Sequence, residues 1–186
     1  HRNTHEWSYA ELFADITRAA NAFHDLGIGP KDVIAFLLPN LPETHFTIWG
    51  GEAAGIVMAV NPMLEASQIG DLLRAAGAKV VVTLAPTPGA DLWDKLSSEL
   101  ERLPCVQDIV WVGMTPYVGT LSGLALRWMA AREKSRHPGR RIHNLRALMR
   151  RQPQDRLKSG RQIRSDEHSS YFCTGGTTGL PKIAIR

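Results

Sequence analysis

Val33-Ile34-Ala35-Phe36-Leu37-Leu38 is an unbroken apolar run, and it restricts the fold more than any other stretch of the chain. A strand with one wet face alternates polar and apolar residues, so a run with no polar position belongs to a strand covered on both faces, as in parallel sheets. Pro39 closes it. The pattern returns in Ile56 to Val60, ended by Asn61-Pro62, in Lys79-Val80-Val81-Val82-Thr83, and in Val106 to Val112. Helical stretches separate these strands. Ser8-Tyr9-Ala10-Glu11 is a capping box, followed by Leu12, Phe13, Ile16, Ala19, Ala20, Phe23 and Leu26 at helical spacing, with Gly27 as the stop. Further helices are predicted from about Glu43 to Ala54, over Ala66 to Ala76 with Gly77 just past the end, and over Asp91 to Leu103, where Leu92, Trp93, Leu96 and Leu100 share a face. Strand and helix alternate throughout. The expected fold is therefore α/β, a largely parallel sheet with helices on both faces, whose ligands sit outside the carboxyl ends of the strands.

A second feature carries chemistry. Tyr171-Phe172-Cys173-Thr174-Gly175-Gly176-Thr177-Thr178-Gly179-Leu180-Pro181-Lys182 places three glycines within five residues, so successive backbone N–H groups can turn inward and form an anion nest. Threonine hydroxyls add donors, and Lys182 supplies a mobile point charge suited to a tri- or pyrophosphate. A Walker A loop needs Gly-Lys-Ser/Thr, but Pro181 separates Gly179 from Lys182. The dinucleotide fingerprint also fails, since no two of these glycines lie two apart. Ser170 to Cys173 and Ile183 to Ile185 read as short strands, giving a strand-loop-strand lid hinged on glycine.

Thr-Gly-Gly-Thr-Thr-Gly-Leu-Pro-Lys resembles the signature loop of the adenylate-forming enzymes, which include acyl-CoA and aryl-CoA synthetases, adenylation domains and luciferases. The commonest family form has Ser where Gly175 stands and Gly where Ile183 stands; the Gly-Gly form occurs among acyl-CoA synthetases. Trp7-Ser8-Tyr9-Ala10-Glu11-Leu12, Gly27-Ile28-Gly29-Pro30-Lys31-Asp32-Val33, Leu38-Pro39-Asn40, Ala54-Gly55, Val60-Asn61-Pro62 and Lys79-Val80-Val81 resemble successive landmarks of that superfamily, in order. The resemblance implies the incomplete amino-terminal part of the large domain of an adenylate-forming enzyme. Its parts would be an α/β core over 7–112, a basic variable excursion over 113–168, and the phosphate loop over 169–186.

The resemblance further implies ATP with Mg2+ and CoA, and a two-step acyl activation. Thr174, Gly175, Gly176, Thr177, Thr178, Gly179 and Lys182 would hold ATP phosphates. The family's catalytic Lys and its adenine and ribose contacts would lie beyond Arg186, so no catalytic residue is expected within the chain, and the stretch alone is expected to be inactive. Gln152-Pro153-Gln154-Asp155-Arg156-Leu157 upstream of the Gly-Gly loop resembles the fatty acyl-CoA synthetase branch, making a fatty acid the preferred carboxylic acid substrate. Other readings stay open: a nucleotide hydrolase or kinase with an atypical P-loop, an adenylating enzyme that loads a carrier protein, and a membrane-surface binding module.

Composition limits the remaining classes. The 186 residues, 44% hydrophobic, suffice for one ordinary core, and the start at His1 reads as a fragment of a longer protein. Cys105 and Cys173 are far apart and lack ligand-spaced partners, so two reduced thiols and a cytoplasmic setting are expected. The seven histidines suggest no metal site. Ile109 to Leu126 is free of charge, but Pro116 and the glycines favour a strand, a loop and a helix over a membrane span. Arg127 to Arg164 holds 13 Lys and Arg against Glu133 and Asp155, net +11; with the whole chain at +4, the remainder carries −7. Trp128 is the one aromatic in this segment, which argues against nucleic acid. Leu121, Leu124, Trp128 and Met129, at near-helical spacing beside arginines, would suit an interfacial helix at a membrane, though packing on the domain is the preferred reading. Phe46 and Trp49 are expected in the core.

Overall fold

The computed structural model describes residues 6–114, 117, 120–174 and 182–186. Its strands are β1 (Val33–Leu37), β2 (Ile56–Ala59), β3 (Ala78–Leu84), β4 (Asp108–Val112), β5 (Arg141–Asn144), β6 (Ser170–Thr174) and β7 (Lys182–Ile185). They form one sheet in the order β5-β4-β3-β1-β2-β6-β7. All neighbours run parallel except β6 and β7, which are antiparallel. The apolar runs of β1 and β4 are buried at every position, as two-sided cover requires.

The helices are α1 (Tyr9–Asp25), α2 (Pro42–Ala54), α3 (Ala66–Ala75), α4 (Leu92–Glu99), α5 (Thr120–Arg136) and α6 (Leu145–Met149). On one face Phe23 of α1, Phe46 of α2 and Leu145 of α6 pack against Ile34, Val80, Val82 and Val110. On the other, Leu72 and Leu73 of α3 and Trp93 and Leu96 of α4 pack against Ala35, Val81 and Ile109. The sheet is thus clad on both sides. α1 begins at the expected capping box: the Ser8 hydroxyl accepts from the Glu11 N–H at 3.3 Å, and the Glu11 carboxylate accepts from the Ser8 N–H at 2.8 Å. Gly27 follows the helix with φ 81°, a conformation open to glycine without strain. α1 and α2 cross closely because Gly50 has no side chain, and a Cβ there would lie 2.7 Å from that of Ala19.

Several expectations are corrected. The fourth helix ends at Glu99 and tightens into a 3₁₀ turn over Leu100–Arg102, and β4 starts at Asp108 rather than Val106. Phe13 points outward and is 64% exposed, while Trp49, expected in the core, is 44% exposed and stacks on His45 at 5.6 Å between centroids. Leu124 and Trp128 of α5 are 63% and 64% exposed; the helix packs instead through Gly123, Leu126 and Ala130.

The basic segment supplies α5, β5 and α6, and its cations bind the rest of the fold. Arg141 pairs with the buried Asp108 at 2.7 Å, Arg146 with Glu43 at 2.6 Å, Lys158 with Asp25 at 2.5 Å, and Arg161 and Arg164 with Glu167 and Asp166. Arg140 donates to the carbonyls of Leu100, Leu103 and Val106, pinning the turn between α4 and β4. Lys134 donates to the Ile142 carbonyl, Arg136 pairs with Glu133, and Arg156 pairs with Asp155. Arg140, Arg141, Arg146 and Lys158 therefore tie the positive segment to the rest of the fold, while Arg136, Arg156 and Arg164 pair locally.

Candidate functional site

Six parallel strands bring their carboxyl ends to one edge of the sheet, and the glycine-rich sequence follows the end of β6. β6 is held by β2 through the pairs Val57 with Ser170, Met58 with Tyr171 and Ala59 with Phe172. β7 returns antiparallel, and the pairs run from Tyr171 with Ile185 to Thr174 with Lys182. Thr174 and Lys182 thus face each other across the two strands. The two strands expected around the loop are present, one residue longer each than the sequence indicated. Gly175, Gly176, Thr177, Thr178 and Gly179 lie outside the described residues.

Beside the hairpin, Cys173 places Sγ 3.7 Å from the Ala59 carbonyl, and burial pushes its thiol pKa upward. Next to Ala59, the Asn61-Pro62-Met63 turn is fixed by the Met63 N–H donating to Asn61 Oδ1 at 2.9 Å and by Lys95 Nζ donating to the Pro62 carbonyl at 3.1 Å. That turn stands at the carboxyl end of β2, adjacent to the end of β6.

Farther along the same edge, the structure assembles a polar cluster that the sequence did not announce. Glu43, in the first turn of α2, is 1% exposed. Its carboxylate accepts from Arg146 Nε at 2.6 Å and from the Tyr117 hydroxyl at 2.7 Å. The amino-terminal dipole of α2 also favours the negative charge. Burial and the Glu43 carboxylate raise the Tyr117 pKa, so the phenol stays a donor. Partners 103 and 74 residues away leave no local signal for such a cluster. Glu43, Arg146, Arg150 and Asn144 line a cavity of about 130 Å³ beside the ends of β4 and β5.

Among the described residues, no group of three His, Cys, Asp or Glu could hold a metal ion, and no helix is long and apolar enough to cross a membrane. His143 does meet a carboxylate, with Nε2 2.8 Å from Asp108, but Asp108 already serves Arg141 and the three form an edge-strand clamp.

The chain was compared with known proteins. The AMP-binding enzyme family matches residues 1–186. Marinolic acid–CoA ligase of Pseudoalteromonas sp. (strain SANK 73390) is 34% identical over 178 residues, covering 96% of this chain and 24% of the relative. Long-chain fatty acid transport protein 1 of Bos taurus is 28% identical over 183 residues, with the same shares covered, 96% and 24%. Among solved structures, the anthranilate CoA ligase AuaEII in complex with anthranoyl-AMP superposes with a TM-score of 0.75 at 18% identity, over 98% of this chain and 30% of that one. The chain spans about a quarter of the length of these two relatives.

Proposed function

The chain belongs to the AMP-binding enzyme family, and we propose that it forms the amino-terminal portion of an AMP-forming acid–CoA ligase whose acid is a fatty acid. The observation that carries this reading is the backbone register of Thr174 with Lys182, the two residues that flank Gly-Gly-Thr-Thr-Gly-Leu-Pro in the sequence. Thr174, Gly175, Gly176, Thr177, Thr178, Gly179 and Lys182 hold the β- and γ-phosphates of ATP. A carboxylate oxygen of the acid attacks the α-phosphorus, the bond to the bridging oxygen breaks, and pyrophosphate leaves with its charge steadied by the loop's N–H groups, hydroxyls and ammonium. The CoA thiol then adds to the acyl carbonyl, loses its proton, and expels AMP. Magnesium bound with the nucleotide would supply Lewis-acid charge neutralisation. Among the described residues no three His, Cys, Asp or Glu could hold it, and no step is assigned to it.

Fatty acid as the acid class is supported by the Gly-Gly form of the loop and by the relative named as a long-chain fatty acid transport protein. The test is product identification with the complete protein, ATP, Mg2+ and CoA against saturated acids of increasing length and aromatic acids. Acyl-CoA and AMP in equal amounts, greatest with one range of fatty acids, are expected. Preference for an aromatic acid overturns the substrate class alone. ADP and phosphate without any acid overturn the ligase, and acylation of a carrier protein with indifference to CoA moves the second step to another acceptor. The 186 residues by themselves are expected to make no acyl-CoA.

A further inference from the structure

α5 turns Leu124 and Trp128 away from the protein. Gly123, Leu126, Ala130 and Glu133 turn toward the domain, whereas Leu124 and Trp128, one helical turn apart on the opposite side, are 63% and 64% exposed. A helix packed on a domain normally puts such residues inward and polar ones outward. The charges around them are also unusual. Of the 13 cations in the basic segment, nine find a carboxylate or a carbonyl; among the described residues, Arg127, Arg132, Arg150 and Arg151 have neither. Two of those four, Arg127 and Arg132, flank Trp128 on the outward face of α5, with the Arg132 guanidinium 5.6 Å from the indole centroid. The opposing charges are largely engaged: Asp91 pairs with Lys95 at 2.9 Å and Glu133 with Arg136, leaving Asp94 as the acidic neighbour across the groove beside Trp128.

We propose that the outward face of α5, centred on Leu124 and Trp128 and edged by Arg127 and Arg132, is a contact for a bilayer surface bearing anionic lipid headgroups. An indole and a leucyl side chain can enter the headgroup boundary, while the flanking guanidinium groups remain at phosphate level, the arrangement by which interfacial helices bind without spanning. Arginine free of intramolecular carboxylates meets lipid phosphate without first breaking an ion pair. Each such cation within a Debye length of an anionic leaflet adds severalfold to binding, and salt screens the effect.

The experiment is co-sedimentation of the complete protein with vesicles of phosphatidylcholine alone and of phosphatidylcholine with 30% phosphatidylglycerol, at low and high NaCl. The expected result is binding to the anionic vesicles alone, lost in high salt. Binding should weaken about tenfold or more in R127Q/R132Q and severalfold in W128S. All three positions are exposed, so the variants should fold; unchanged acyl-CoA formation with a soluble short-chain acid would show that they do. Equal binding to both vesicle types, no binding to either, or undiminished binding by both variants overturns the proposal. Oligonucleotide binding that competes with the vesicles and depends on the same arginines would also overturn it by identifying a nucleic-acid surface.

Discussion

Arg146→Ala should be among the most destabilising single changes, because it strands a carboxylate rather than merely deleting a cation. Glu43 is 1% exposed and holds Arg146 Nε at 2.6 Å. Removing one partner of a buried pair typically costs about 3–5 kcal/mol. The Arg146 side chain is 37% exposed and Tyr117 is 43% exposed, so water can reach the vacated side. Tyr117 also remains as a donor to the carboxylate. These considerations lower the expected loss to about 2–3 kcal/mol, or roughly a 1 M drop in the urea midpoint at a slope of about 2–3 kcal/mol/M. Glu43→Gln removes the charge but keeps an acceptor and leaves Arg146 able to hydrate, so it should cost about 1 kcal/mol. In the double variant the two losses should fall short of additivity by about 1 kcal/mol or more. Urea unfolding of the four proteins gives the cycle. R146A within 0.5 kcal/mol of the parent, or strict additivity, would refute the claim that this pair is a buried electrostatic unit.

Three further outcomes follow from the packing and the titrations. Gly50→Ala should cost about 1–2 kcal/mol, since the new Cβ meets the Ala19 Cβ at 2.7 Å and the Ala20 nitrogen at 2.9 Å; Gly139→Ala, with nothing within 4 Å, should be neutral within about 0.5 kcal/mol. In a Cys105→Ser background, Cys173 should react with iodoacetamide more slowly than a small free thiol at pH 7.5 and gain rate only at higher pH, because burial raises its pKa and the thiolate is the nucleophile. Equal rates at pH 7.5 would contradict that. The Lys158 hydrogen bond holds Asp25 below the usual carboxylate range. Its stabilisation is therefore present above the unfolded value near pH 4 and is lost as pH falls through the folded value. Lys158→Met should be destabilised at pH 7 by less than about 1 kcal/mol, the pair being partly exposed, and the difference should vanish in acid; a constant difference at every pH would show that packing, and not charge, is lost.

The sequence made the interior strands legible because β1 to β4 are two-sided and announce themselves by continuous apolar runs. β5 did not, since in Arg141-Ile142-His143-Asn144 only Ile142 is buried and the rest of this edge strand is polar. The composition of 127–164 is that of a solvated excursion, yet Arg140, Arg141 and Arg146 find partners by long-range folding, which no local pattern encodes. The outward side chains of α5 defeated the periodicity argument for a physical reason: spacing identifies a face but does not say whether that face meets the domain or something else. Glu43 and Arg146 meet only after α2 and α6 dock on the same side of the sheet. The two strands flanking the glycine-rich stretch were readable in the sequence, and the register of Thr174 with Lys182 adds their pairing, which spacing alone does not supply.

The central claim is the phosphate-binding role proposed for residues 174–182, and carboxylate-dependent exchange of labelled pyrophosphate into ATP by the complete protein tests it most directly. Reversible adenylation predicts exchange that requires one acid class, proceeds without CoA, and falls about a hundredfold in Lys182→Ala, the order expected when a group stabilising transition-state charge is removed. Exchange without an acid, or Lys182→Ala exchanging as fast as the parent, would contradict the account.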